Sequence, residues 1–434
     1  MIPPLQLRAG AGALAEQAVD ALIVFVRRDG GLGPAGRAVD AALGGWLQEM
    51  LAAEEFRGDA YSVAVIPTGG RLPARRVALV GLGKGKEYSL GVWRRAVAAA
   101  VIQLQERRLG RAALDVAESE LPAADAARAA VEGAEYARFD PGLLRGDEGR
   151  LVPLAELTVV GAPEEALAHG EIVGRAKNLA RELTHLPPND LSPEALARHA
   201  RDVAARLVPL ECEVLGPEEM RALGMGAILA VAQGSARIPQ LIVLRYPGRG
   251  DGPTLALVGK AVTFDTGGIS LKAAAGMEAM KSDMAGGAAV LGAMQAICEL
   301  RIPLQVVGLV PAAENMPSGT AWRPADVIRT MSGKTVETIS TDAEGRMLLA
   351  DALTYAQRRC GATHLADIAT LTGACLVALG RVASGLYGTD RELIDAVVAC
   401  GEAAGEIHWP MPLFPEYREQ LKSDNAAFTN SGGR

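Results

Sequence analysis

The sequence predicts an α/β protein of two domains, an N-terminal α/β domain and a C-terminal domain built on a central, mostly parallel sheet flanked by helices. Three observations carry that reading. Short apolar runs alternate with helical stretches along the whole chain. In the second half the runs are nearly continuous, the mark of strands buried on both faces. A chain of 434 residues with 49% hydrophobic content is too long for one typical domain and can fill more than one core.

In the first part, "ALIVFV" (21–26), "YSVAVIP" (61–67), "RVALVGLG" (76–83) and "ELTVVGA" (156–162) read as strands, and 89–107 and 122–137 as helices. The "GLGKGK" that closes the third run has two loop glycines but lacks the G-x-G-x-x-G spacing, which argues against a dinucleotide site. A helical pattern rich in Ala, Glu, Leu and Arg runs over 163–186 and is stopped by Pro187 and Pro188. Ser192 as N-cap and Pro193 at the first helical position start the next helix. The predicted division is therefore 1–162, a connecting helix 163–186, and 187–434. In the last part, "QLIVLRY" (240–246), "TLALVGK" (254–260), "LQVVGLVPA" (304–312) and "THLADIATL" (363–371) read as strands, with helices near 277–300 and 346–359.

The formal charge of −7 and the absence of basic runs beyond pairs such as Arg27-Arg28 weigh against a dedicated nucleic-acid or membrane-surface protein. No secretory leader pattern opens the chain and no uninterrupted apolar run reaches membrane-spanning length, so a cytoplasmic protein is expected. Cys212, Cys298, Cys360, Cys375 and Cys400 lie far apart with no C-x-x-C pair and are expected as buried free thiols. With five histidines and no H-x-x-x-H spacing, carboxylates would have to do most of any metal ligation.

Sites in parallel sheets sit at the carboxyl ends of strands, and charge gathers there. Lys260 ends one strand; the loop that follows, "AVTFDTGGISLK", carries Asp265 and Lys272; "MEAMKSDMAGGAAV" places Asp283 among methionines and small residues; "STDAEGRMLLADAL" (340–353) brings Asp342, Glu344 and Arg346 to a helix start. Each has an ordinary alternative: a solvated strand end for Lys260, a polar helix face for Asp283, a turn for Asp265, and helix capping for Asp342 and Glu344. Capping leaves Arg346, a cation at the wrong pole, unexplained. Convergence of four acids, two lysines and an arginine demands mutual neutralisation or metal. Carboxylates without histidine suit two divalent ions sharing bridging acids, and hence metal-assisted hydrolysis.

The blocks "VGKAVTFDTGGISLK", "MKSDMAGGAAVLG", "PAAENMPSGTAWRPADVI", "TDAEGRMLLADAL" and "DIATLTGA" resemble, in order and separation, the catalytic domain of the leucyl (cytosol) aminopeptidases, two-metal exopeptidases. The resemblance is strong over about 160–434 and looser over the N-terminal domain, which it implies to be macro-like. It implies that Asp265 and Glu344 bridge two metals, Mn²⁺ or Zn²⁺, that Asp342 completes one site and that Lys260 with Asp283 completes the other. Lys272 would stabilise the gem-diolate and Arg346 would hold a bicarbonate that acts as general base toward a bridging water. Met280, Thr370, Leu371 and Gly373 match positions around the substrate's N-terminal residue. Implied further are peptide substrates with a free N-terminus, a preference for leucine, and a homohexamer arranged as a dimer of trimers.

Two departures stand out. Ser340 replaces the signature's asparagine and Met347 its leucine; the second swap conserves volume. The final "DNAAFTNSGGR" falls where family members continue, so a C-terminally truncated catalytic domain is expected. Two rival readings, a DNA-binding architectural or regulatory role and a two-metal phosphoesterase, stay open at this level.

Overall fold

The computed structural model describes residues 3–142, 144, 152–250 and 252–432. They group into two compact units, Met1–Arg175 with Arg381–Pro410, and Ala176–Gly380 with Met411–Arg434.

The first unit is built on a sheet ordered Gln6–Gly10, Glu156–Val160, Arg111–Asp115, Ala21–Arg27, Arg76–Gly81, Val63–Pro67. The first five strands are parallel and the last is antiparallel to its neighbour. Alternate residues of Ala21–Arg27 feed two cores. Ile23 and Phe25 pack with Trp93, Val97 and Val101 of the helix Leu90–Glu106, and Leu22, Val24 and Val26 pack with Val39, Leu43 and Leu47 on the other face. Burial on both faces is why this run has no polar alternation. The strands Gln6–Gly10 and Arg111–Asp115 were not legible: "QLRAG" faces solvent at most positions and "RAALD" offers only a short run of weak strand formers.

The second unit's sheet runs His364–Ile368, Thr254–Gly259, Gln305–Asn315, Gln240–Tyr246, Glu211–Leu215. The pairings around Thr254–Gly259 are parallel, and Gln240–Tyr246 pairs antiparallel with both its neighbours. One face takes the helix Gly345–Cys360 through Met347, Leu348, Ala352 and Tyr355. The other takes Ala285–Glu299 through Ala288, Leu291 and Met294, and Pro193–Arg206 through Leu196, Ala200 and Val203. As expected, Ser192 caps that last helix, accepting from the Ala195 amide at 3.2 Å, with Pro193 behind it. Among the described residues no helix is long and apolar enough to cross a membrane.

Several expectations need correction. "AVTFD" after Lys260 is not loop: Ala261–Asp265 is a strand pairing parallel with the far end of Gln305–Asn315. The helix expected over 277–300 is a 3₁₀ helix, Met277–Ser282, followed by Ala285–Glu299. The break falls at Asp283, whose carbonyl accepts from the Val262 amide at 3.3 Å and whose amide donates to the Met280 carbonyl at 3.2 Å, so its backbone serves sheet and turn instead of a continuous helix. Apart from these corrections, Arg381–Pro410 groups with the first unit, and within that unit Arg94 donates to the Ala404 carbonyl. All five cysteines are free, but only Cys298 is buried, and Cys400 is exposed.

Candidate metal centre and active site

Lys260 occupies the junction between Thr254–Gly259 and Ala261–Asp265. Its amide donates to the Ile368 carbonyl at 3.0 Å and its carbonyl accepts from the Gly287 amide at 2.8 Å. This close approach requires glycine at 286, because a Cβ there would run into the Ile368 carbonyl. The Lys260 side chain, with the residue only 2% exposed, reaches the Asp283 Oδ1 and Glu344 Oε1 carboxylate oxygens, each at 2.8 Å, and the Thr370 carbonyl at 3.0 Å. Gly345 makes room for it: a Cβ at that position would stand 2.6 Å from Lys260 Cε.

A second lysine organises the other acids. Lys272 Nζ lies 2.9 Å from Asp265 Oδ2 and also pairs with Asp342. Asp265 Oδ1 accepts from the Gly267 amide at 2.9 Å and from Asn315 Nδ2 at 2.8 Å. Asp265, Asp342 and Glu344 each present an oxygen within 4.8 Å of the others, a group able to hold a metal ion.

The electrostatics follow from burial against charge. Burial raises the Glu344 carboxyl to about 7, with Lys260 pulling it down and Asp265 and Asp283 pushing it up. Burial likewise raises Asp283, against the pull of Lys260. Burial acts to lower both lysines, but Glu344 and Asp283 outweigh it at Lys260, and Asp342 and Asp265 outweigh it at Lys272, so both ammonium groups are held above the ordinary lysine value. Among the described residues, one oxygen each of Asp283 and Glu344 is buried without a partner.

Capping is not what these acids do. Glu344 stands at the N-cap of Gly345–Cys360 in helical conformation and its side chain makes no cap bond; it is spent on Lys260, as Asp342 is on Lys272. Arg346, in the first turn, makes no ion pair among the described residues, and its Nε is buried without a partner.

The structure thus brings Lys260, Asp265, Lys272, Asp283, Asp342 and Glu344 together. Thr370 joins them by donating from its hydroxyl to Asp283 Oδ1 at 2.6 Å. Met280 is half-buried in the 3₁₀ helix Met277–Ser282. Leu371 and Gly373 follow in the exposed segment ahead of Ala374–Leu379, and among the described residues neither is hydrogen-bonded to the acids. Sequence reasoning missed Asn315 and Trp322: fully buried Asn315 also donates to the Thr341 carbonyl at 3.0 Å and accepts from Trp322 Nε1 at 3.3 Å. The strand-end rule would have found Asn315 had its strand been carried to its true end at 315.

Comparison with known proteins places the chain in a family. The model of the cytosol aminopeptidase family's catalytic domain matches residues 178–434, and that of its N-terminal domain matches 23–140. The chain belongs to the cytosol aminopeptidase family. It is accordingly a metal-dependent aminopeptidase. A probable cytosol aminopeptidase of Roseiflexus castenholzii is 46% identical over 399 residues, 89% of this chain and 81% of the relative. One of Solibacter usitatus is 44% identical over 439 residues, 99% and 88% of the two chains. Among solved structures, the bottromycin maturation enzyme BotP in complex with Mn superposes with a TM-score of 0.82 at 36% identity, over 96% of this chain and 87% of that one. A tomato leucine aminopeptidase mutant superposes with a TM-score of 0.89 at 32% identity, over 100% and 87%.

The aminopeptidase's residues fit divalent ions. Its donors are hard oxygens, the carboxylate class that suits Mn²⁺ and Mg²⁺ and that Zn²⁺ also accepts. Two lysines leave part of the four carboxylates' charge uncompensated, and the orphaned oxygens of Asp283 and Glu344 gain most from a cation.

Proposed function

We propose that this aminopeptidase releases N-terminal residues, leucine preferentially, from peptides with a free α-amine, using two divalent ions, Mn²⁺ or Zn²⁺. Asp265 and Glu344 would serve both ions, Asp342 one of them, and Lys260 with Asp283 the other. The observation that carries this reading is the pair of lysine-bridged carboxylate clusters, with unpartnered oxygens on Asp283 and Glu344. When bound, such ions supply Lewis acidity toward a carbonyl oxygen and lower the pKa of a water.

The chain's own groups do the rest. Lys272, held as an ammonium beside Asp265 and Asp342, would stabilise negative charge growing on the scissile oxygen. Arg346 would hold bicarbonate, a small anion able to act as general base; the buried, unpartnered Nε supports this, since a guanidinium left without an anion is costly. Thr370, tied to both Asp283 and Lys260, would fix the edge along which the substrate's first residue lies, with Met280, Leu371 and Gly373 around it. A pocket lined this way separates apolar side chains only modestly, a methylene being worth about 1–3 kcal/mol. The acid-rich centre favours an α-amine, which only a chain end offers, hence an exopeptidase. The reading includes a cytoplasmic location and a homohexamer. It assigns catalysis to 187–434, joined by the helix 163–186 to an N-terminal domain, 1–162.

The test is hydrolysis of leucyl-p-nitroanilide by protein stripped with a chelator, then given Mn²⁺ or Zn²⁺, with phosphate esters in parallel. Activity should vanish on stripping, return with metal and be absent toward the esters. Unchanged turnover after exhaustive metal removal refutes the two-metal reading.

A further inference from the structure

We propose that Asn430 is a positioning residue for the metal centre, its side-chain amide holding the backbone that aims Asp342. This rests on the two-metal reading above. Asn430 follows the short strand Phe428–Thr429, which pairs parallel with Thr335–Glu337, the strand that leads into the acidic segment. Its own amide continues that ladder, donating to the Glu337 carbonyl at 2.9 Å. Beyond that point no strand backbone continues the pairing, and the side chain takes over. Asn430 Oδ1 accepts from the amides of Ile339 at 2.7 Å and Ser340 at 3.2 Å, and Nδ2 donates to the Ser340 carbonyl at 2.6 Å. One amide group thus reads both the N–H and the C=O of Ser340, two residues before Asp342, from a position only 2% exposed.

The next residues are held equally tightly, from other directions. Ser270 Oγ accepts from the Thr341 amide at 3.1 Å, Asn315 Nδ2 donates to the Thr341 carbonyl, and Ser340 Oγ accepts from the Asp342 amide at 3.2 Å. The Thr341 hydroxyl donates to the Gly267 carbonyl at 2.6 Å and accepts from the Ser270 amide at 2.8 Å. Every one of these partners except Ser340 itself comes from a distant part of the unit, so the path of 339–342 is imposed by side chains and not by regular structure. Among the described residues, Asn430 supplies every hydrogen bond that reaches the backbone of 339–340 from outside this segment; the Ser340 carbonyl accepts besides from the Ala343 amide at 3.3 Å, a local turn bond. Groups that hold metal ligands in place typically cost 10- to 100-fold in metal affinity when removed, about what is expected here. Because Asp342 is proposed to serve one ion, the loss should fall on one ion.

The test compares Asn430→Ala, Asn430→Asp and Ser423→Ala in the full chain. Asn430→Asp retains an acceptor for the two amides but turns a second oxygen toward the Ser340 carbonyl. Ser423 donates to Glu337 in the same strand junction without touching 339–342, so its variant controls for general loosening. Mn²⁺ binding is measured by equilibrium dialysis with elemental analysis, and amide hydrogen exchange at Ile339 and Ser340 is followed in the metal-free protein. Both Asn430 variants should bind one of two ions about 10- to 100-fold more weakly and the other as wild type does, with faster exchange at those amides. Ser423→Ala should bind both ions normally. Asn430→Ala binding both ions like wild type, or Asn430→Ala and Ser423→Ala alike losing both ions in step with a lowered Tm, overturns the assignment. Wild-type protein that binds no Mn²⁺ refutes instead the two-metal reading on which it rests.

Discussion

Replacing Asp351 should expose how the helix that follows Glu344 is fastened, and in which protonation state. Asp351 lies in Gly345–Cys360 and is 0% exposed. Its Oδ2 accepts from the amides of Ala227 at 2.9 Å and Ile228 at 3.1 Å, at the start of the helix Gly226–Ala232, and its Oδ1 from the Met331 amide at 2.7 Å. Asp351→Ala strands three buried donors, and at 1–3 kcal/mol for each the loss is about 3–6 kcal/mol after partial relaxation. Asp351→Asn keeps one acceptor and turns an NH₂ toward at least one donor, a cost of about 1–3 kcal/mol. Burial raises the carboxyl from 3.8 to about 6, outweighing the three amides that lower it. The sign follows: for an acid raised on folding, the group's contribution is complete below 3.8 and is lost as pH rises through about 6. That rise corresponds to about 3 kcal/mol. Since asparagine does not titrate, the advantage of wild type over Asp351→Asn should shrink by about 2 kcal/mol between about pH 4 and about pH 8. Urea unfolding of metal-free protein, followed by the fluorescence of buried Trp322 in the same unit, measures the difference at each pH. An advantage that grows with pH would refute the reasoning, because it would mean that the amide donors win over burial and hold the carboxyl below its ordinary value.

The proposed metal ligands predict a ranking. Asp265→Ala and Glu344→Ala each remove a group assigned to both ions, so metal content and kcat/KM should fall by more than the roughly 10–100-fold of outer-shell changes; near-normal metal content in either variant rejects the bridging role. An N-acetylated leucyl peptide should resist hydrolysis while the free peptide is cleaved, and equal rates measured by chromatography would point to an endopeptidase. Arg346→Ala should lower kcat by roughly 10²–10⁴-fold, the worth of a positioned base, with both ions still bound. Bicarbonate added to degassed enzyme should raise the wild-type rate and leave that variant unchanged; a variant that stays active, with no bicarbonate response in wild type, ends the anion-holder role.

Much of the fold could be read from local pattern because the buried strands are long and apolar. "QLIVLRY" coincides with Gln240–Tyr246, and 89–107 and 122–137 come within a residue of the helices Leu90–Glu106 and Ala123–Arg138. The gathering of the charged side chains was legible for a different reason. Singly, Lys260, Asp265, Asp283, Asp342 and Glu344 each had an ordinary alternative; what stood out was that so many charges converge on one edge of a sheet buried on both faces, where they need mutual neutralisation or a metal. What stayed hidden were polar groups whose only task is to hold others. An asparagine reads as a turn residue wherever it occurs, and nothing local distinguishes Asn315, facing Asp265, or Asn430, facing Ser340, from one in solvent. Their roles exist only through contacts 50 and 90 residues away in sequence. Asp351 was hidden similarly, as one acid in an otherwise apolar helical stretch.

The first turn of Gly345–Cys360 shows why local propensity gave an incomplete account of this segment. The positive end of a helix favours acids and disfavours cations, each by about 0.3–1 kcal/mol in exposed settings. Asp342 and Glu344 obey that rule, yet neither is used as a cap. Arg346 breaks the rule at the same pole, and it does so with Nε buried and unpartnered. Two unfavourable terms therefore fall on one side chain, the dipole and the desolvation of a donor. Glu344 does not relieve them: among the described residues it pairs with Lys260 and makes no ion pair with Arg346. An arginine placed there by packing alone would cost stability that a leucine or methionine would not. An external anion seated against the guanidinium relieves both terms at once, through charge-assisted hydrogen bonds and through its own attraction to the helix N-terminus. The misplaced cation is thus the feature that a capping role leaves unexplained and that the proposed anion-holding role would account for.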